Sequence, residues 1–259
     1  MFKLVRITVL LCIFVALAFY TKTQRLKSRT WAEPLEVVLY PMNSDHSPIV
    51  ADYIKQLEPS TFKEIDQFFM EEAKHYELIN ENPIKTSLGS ILQTFPPAAP
   101  SAPFNILEAI WWSIKFRYWA YIHTPDSQSN LHRVRIFVHY HEAIAGQPLQ
   151  HSLGLNKGLL SIVHLFASKD QDQQNNIIIA HELLHTVGAT DKYDRYNQPI
   201  FPDGYAEPNK QPLFPQDQAE IMSAKIPYSK SSSEMAESLD QCLIGEKTAR
   251  EVNWVQSDP

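Results

Sequence analysis

Cysteine is almost absent, with two in 259 residues. Cys12 falls in an apolar run near the start and Cys242 lies near the end, so neither a disulfide framework nor a cysteine-ligated zinc knot can organise the fold. Glycine is nearly as scarce, at seven residues against 18 prolines, which makes a glycine at a sharp turn unusually informative. No internal repeat with a period of about 20 to 50 residues is visible, which excludes solenoids. A basic stripe is missing too. Lys3, Arg6, Lys22, Arg25, Lys27 and Arg29 sit within residues 1–32 with no acid, so the remaining 17 basic residues face all 29 acidic ones and the rest of the chain stands at −12. Such a body repels phosphate backbones, and no nucleic-acid partner is expected. A hydrophobic content of 44% with 11% aromatics excludes a disordered chain and is ample for a core.

Ile7 to Tyr20 is an unbroken run without charge. As a helix it would reach about 21 Å, short of a bilayer core of about 30 Å. The expectation is a single N-terminal hydrophobic helix, with residues 1–32 serving as signal peptide or signal-anchor plus basic linker. Ala16-Leu17-Ala18 offers a small-x-small cleavage pattern, and residues 7–20 would contact a membrane if uncleaved. Location outside the cytoplasm, exported or membrane-anchored, follows from the short run behind Lys3 and Arg6, although the four later cations pull the other way.

Residues 33–259 read as one α/β domain. Leu35 to Tyr40 is a buried strand ended by Pro41, and Thr61 to Leu78 an amphipathic helix. Phe95 to Pro103 holds four prolines in nine residues and is a loop. Asn105 caps a helix to about Ile122 whose stripe Leu107, Ile110, Trp111, Ile114, Tyr118 and Tyr121 is expected to face the core. Val134 to His141 and Leu159 to Phe166 are strands. His139 and His141 share a strand face, where ordinary satisfied histidines are preferred over a second metal site. A helix from Asn176 to Val187, a long loop from Asp191 to Pro227 and a C-terminal helix at about 233–252 complete the order.

Chemistry concentrates at His181-Glu182-Leu183-Leu184-His185. Residues four apart on a helix share a face about 6 Å apart along the axis, so both imidazoles can reach one cation. Neutral imidazole suits Zn²⁺, and Glu182 is placed to take a proton from water at the metal. Gly188 follows three residues after His185 and can turn the chain back, and Asp191 follows three residues later as the candidate third ligand. Asp194 competes for that role, and Asp191, Asp194 and the Asp203-Gly204 turn could instead make a calcium loop, though without its regular ligand alternation.

This pattern, H-E-x-x-H-x-x-G-x-x-D, resembles the metzincin superfamily of zinc endopeptidases, in the branch with aspartate as third ligand. Glu220-Ile221-Met222-Ser223, with Met222 31 residues after Asp191, resembles that superfamily's Met-turn. The resemblance implies a twisted mixed sheet whose edge strand, placed at Leu159 to Phe166, lies over the substrate cleft, with an active-site helix and a C-terminal helix. It implies one catalytic Zn²⁺, Glu182 as general base, and a protein or peptide substrate. No tyrosine stands two residues after Met222, which leaves Tyr193, Tyr196, Tyr205 and Tyr228 for the transition-state tyrosine of some relatives, and no cysteine is placed for a cysteine switch. A non-catalytic zinc-binding protein or a membrane-tethered interaction protein is the alternative reading.

Overall fold

The computed structural model describes residues 28–100, 105–124, 133–143, 153–155 and 159–255, together with residues 6, 8, 12 and 15. In chain order the elements are β1 (Leu35–Asn43), α1 (Pro48–Lys55), α2 (Lys63–His75), β2 (Ile84–Leu88), α3 (Ile106–His123), β3 (Val134–His141), β4 (Leu153–Leu155), β5 (Leu160–Phe166) and α4 (Asp172–Val187). After a long loop come β6 (Ala219–Glu220), β7 (Lys225–Ser229), β8 (Ser232–Met235), β9 (Cys242–Leu243) and α5 (Glu246–Glu251).

The main sheet has the order β2-β1-β3-β5-β4, parallel except for the antiparallel edge β4. Its inner strands are apolar on both faces because helices cover both. Val37, Leu39, Ile136, Val138, Val163 and Leu165 pack in the core that includes α1, α2 and α4. Val38, Tyr40, Phe137, Leu160 and Ile162 meet Trp112, Phe116 and Ala120 of α3 on the other side. Helix starts follow local chemistry. Ser47 accepts from the amide of Ile49 at 3.2 Å ahead of Pro48, and Asn105 and Glu108 form a reciprocal capping box at 2.9 and 3.1 Å. The smaller sheet has the order β8-β7-β6-β9.

The mixed α/β sheet with helices is present, but four expectations are corrected. Among the described residues no helix is long and apolar enough to cross a membrane, which stands against the N-terminal membrane helix, the membrane contact through residues 7–20 and the membrane-anchored localisation; most of that run lies outside the described residues. The C-terminal helix of 233–252 shrinks to Glu246–Glu251, because Ser232–Met235 pairs antiparallel with β7 instead. The stripe of α3 points outward: Leu107, Trp111 and Tyr118 are 72%, 61% and 67% exposed. A helix apolar all round gives its period no preferred face, and the line of Trp112, Phe116 and Ala120 wins by fitting against Phe137. Leu160–Phe166 is an inner strand rather than the edge, since Leu153–Leu155 pairs outside it.

Two boundaries also move. β1 runs through Pro41 to Asn43. Trp31, assigned to the linker, is 5% exposed, donates its indole N–H to the Val252 carbonyl at 2.8 Å and meets Trp254 edge-on.

Candidate metal centre

Helix α4 carries the central motif and is held on both sides. Asn175 donates to the Phe166 carbonyl at 2.9 Å, and Asn176 donates to the Thr61 carbonyl at 2.9 Å and to Glu64 at 3.1 Å. These buried amides pin the helix to β5 and to the start of α2, so its inward face has one rotation. The helix ends where Gly188 adopts φ 117° and its amide reaches back to the carbonyls of Leu184 and His185. Only glycine takes that left-handed value without strain.

His181, Glu182 and His185 lie together, with their ligand atoms within 4.8 Å of one another, in a cluster consistent with zinc binding. Each histidine is oriented from behind: Nδ1 of His181 faces the Ile221 carbonyl at 3.1 Å, and Nδ1 of His185 faces the Ala189 carbonyl at 2.9 Å. A ring whose Nδ1–H is so engaged presents the Nε2 lone pair forward. The two Nε2 atoms are 3.0 Å apart, and the Asp191 carboxylate oxygen Oδ1 stands 3.2 Å from the first and 3.0 Å from the second. Ligands about 2.0–2.1 Å from a tetrahedral zinc would be separated by about 3.3 Å. The three atoms form such a triangle within a few tenths of an ångström, and the donor set of two imidazoles and one carboxylate suits the ion.

Charge in the site is polarised. Burial opposes ionisation of Asp191, but the two imidazoles beside it hold its carboxyl far below the usual carboxylate range. Burial pushes Glu182 above that range, against the pull of the two histidines. Glu182 is 6% exposed and hydrogen-bonds Ser161 of β5, while its Oε2 has no partner. A buried carboxylate oxygen without a donor is an exception in a native fold.

Of the four tyrosines, the structure brings Tyr193 to the cluster. Its ring stacks on His181 with centroids 6.3 Å apart, it hydrogen-bonds Asp191, and burial next to that carboxylate pushes its hydroxyl up to about 12. Tyr205 packs between Phe201 and Phe214, and Tyr196 lies beside Arg195. The carboxylate of Asp194 accepts from the amides of Tyr196 at 2.8 Å and Gln198 at 3.0 Å, so it caps its own turn. Gly204 closes the same loop, where a Cβ would stand 2.3 Å from the Lys192 carbonyl.

The turn after β6 lies behind His181. Met222 is fully buried, its carbonyl accepts from the amide of Lys192 at 3.0 Å, and its neighbour Ile221 supplies the carbonyl behind His181. Glu220, also fully buried, accepts from the amides of Met222 at 2.7 Å and Gly245 at 3.2 Å and from the Thr248 hydroxyl at 2.6 Å. Burial pushes it up to about 7 despite those bonds. Around Asp191, Lys192 donates to Glu251 at 2.7 Å and to Thr190, and Glu251 accepts the Thr190 amide at 2.9 Å. Sequence reasoning missed this brace because Lys192 and Glu251 are 59 residues apart and neither sits in a motif.

No family model and no curated protein matches the chain.

Proposed function

We propose that the chain is a zinc-dependent endopeptidase in which His181, His185 and Asp191 hold the ion and Glu182 is the general base. The observation that carries the reading is the triangle of ligand atoms, 3.0–3.2 Å on each side, beside the unpartnered Glu182 Oε2. Zinc bound there supplies Lewis acidity, polarising a carbonyl and acidifying water. The rest falls to the chain's own residues. Glu182, desolvated and above the ordinary carboxyl range, takes a proton from the attacking water and returns it to the departing amine. Tyr193 steadies the Asp191 carboxylate. Met222 and its turn, in the position that the metzincin resemblance gives the Met-turn, back His181 through the Ile221 carbonyl. The reading assigns residues 33–259 to the peptidase domain, with Trp31 as an outlying brace.

The substrate class is an extended peptide. β4 ends the main sheet among the described residues, and such an edge offers backbone N–H and C=O groups to an added strand. The competing reading is a non-catalytic zinc site with Glu182 among the ligands, favoured by its place in the 4.8 Å cluster. Substituting Glu182→Gln separates the two. Zinc content and hydrolysis of a mixed fluorogenic peptide library are measured together. Retained zinc with turnover at least about 100-fold slower supports the base, whereas zinc lost with the variant, or undiminished turnover, overturns it.

A further inference from the structure

The opposite face of the main sheet gathers three more histidines. His139 and His141 alternate on β3, and His164 lies directly across from His139 in the β3–β5 register. All three therefore project from one face, away from α4. His141 Nε2 is 2.9 Å from His164 Nδ1, and the rings of His139 and His164 have centroids 4.9 Å apart. They line a cavity of about 540 Å³ with Ser44 and Phe95.

We propose that His139, His141 and His164 form a second metal site, for a borderline divalent cation such as Zn²⁺, separate from the His181 centre. Bonding is left unmet there: His139 Nε2 and Ser44 Oγ are buried without a partner, and both residues line this cavity. A native fold rarely leaves two such atoms at one cavity unless something else satisfies them. The second feature is a carboxylate behind the ring. Asp45 Oδ1 lies 2.8 Å from His141 Nδ1, and its other oxygen accepts the Glu142 amide at 2.7 Å. A carboxylate fixed on Nδ1 selects the tautomer whose Nε2 lone pair points forward, the arrangement that orients metal-ligating imidazoles.

The 2.9 Å separation of the His141 and His164 nitrogens nearly equals the 3.0 Å between His181 and His185. In the tautomer that Asp45 selects for His141, its Nε2 is the acceptor in this contact, and metal binding requires His164 to give up the Nδ1 proton that faces it. The three histidines here are less tightly gathered than His181, Glu182 and His185, whose ligand atoms already lie within 4.8 Å of one another. Closure here takes a rotation of the His139 ring, whose Nε2 has no hydrogen bond to break. Three imidazoles favour Zn²⁺, Co²⁺, Ni²⁺ or Cu²⁺ over the oxygen-seeking Ca²⁺ and Mg²⁺.

The test is a Zn²⁺ titration of the chelator-treated full chain, read as equivalents bound, for the wild type, His185→Ala and His164→Ala. Two equivalents in the wild type, one in each variant, is the expected result. A single wild-type equivalent that vanishes in His185→Ala and persists in His164→Ala overturns the second site while leaving the endopeptidase reading intact. The converse, loss in His164→Ala alone, supports this site and removes the first. Carbethoxylation of the wild type, mapped by mass spectrometry, gives a check free of folding defects. Zn²⁺ should protect His141 and His164 at least several-fold, and equal labelling with and without the ion would overturn the proposal.

Discussion

Replacing Lys192 by methionine tests whether the brace behind Asp191 is a structural necessity. Lys192 is 4% exposed, and its ammonium spends its donors on Glu251, the Thr190 carbonyl and the Thr190 hydroxyl at 2.7–2.8 Å. Methionine keeps most of the stem and removes the charge, leaving Glu251 with the amide and hydroxyl of Thr190 as its remaining donors. Breaking a fully buried pair costs about 3–5 kcal/mol. The Glu251 side chain remains 18% exposed, so water reaches it and the expected loss is about 2–3 kcal/mol. For a domain of this size that is about 5–10 °C in Tm. The same change loosens the segment that presents Asp191, and zinc affinity should fall about 10-fold, as for other residues that orient a ligand.

The pH dependence has a definite sign. Burial opposes ionisation of Glu251, but bonds from Lys192 and Thr190 hold its carboxyl below the ordinary value of 4.5. Its contribution is therefore present above about pH 4.5 and lost as the pH falls through the lower folded value. Urea unfolding at pH 7 and across the acid range, with zinc titration, measures all of this in the wild type and Lys192→Met. The double variant Lys192→Met, Glu251→Met should recover much of the stability, since no charge is then stranded. A loss under about 0.5 kcal/mol with unchanged zinc affinity would refute the reasoning and class the pair with exposed bridges.

Gly188→Ala should cost about 1–2 kcal/mol in urea unfolding, because its φ of 117° is left-handed while the space for a Cβ is ordinary, 3.4 Å from the Glu251 carbonyl; an effect under about 0.5 kcal/mol would place the strain elsewhere. Glu220 is raised to about 7 by burial, against hydrogen bonds from Thr248, Gly245 and Met222. Its ionisation costs the folded state more than the unfolded one, so its contribution to stability declines as pH rises from about 4.5 toward and beyond 7; the slope of the urea midpoint over that window should be steeper in the wild type than in Glu220→Gln, and identical slopes would contradict it. Chelation should lower Tm: an ion at about 100 times its Kd contributes about 2.7 kcal/mol, or about 5–10 °C, and a shift that persists undiminished in His185→Ala would dissociate the effect from the His181 centre.

What sequence alone determined here is local. His181 and His185 share a face because the helix repeats every 3.6 residues, and Gly188 ends that helix because it alone takes φ 117° cheaply. Asp191 lies six residues beyond His185, close enough for one turn to bring it back. Strands β1 and β5 announced themselves as apolar runs and β3 by its alternation, for the same local reason. The missed elements depended on partners distant in the chain. An all-round apolar α3 could not say which face Phe137 would cover, and Ser232–Met235 became a strand because β7 was beside it. Sheet order decided that Leu160–Phe166 is interior and that His164 stands across from His139. Lys192 found Glu251 only when α5 packed under the loop. Backbone periodicity acts within a few residues and is written in spacing, whereas pairing is settled by which surfaces exclude water best once all of them compete together.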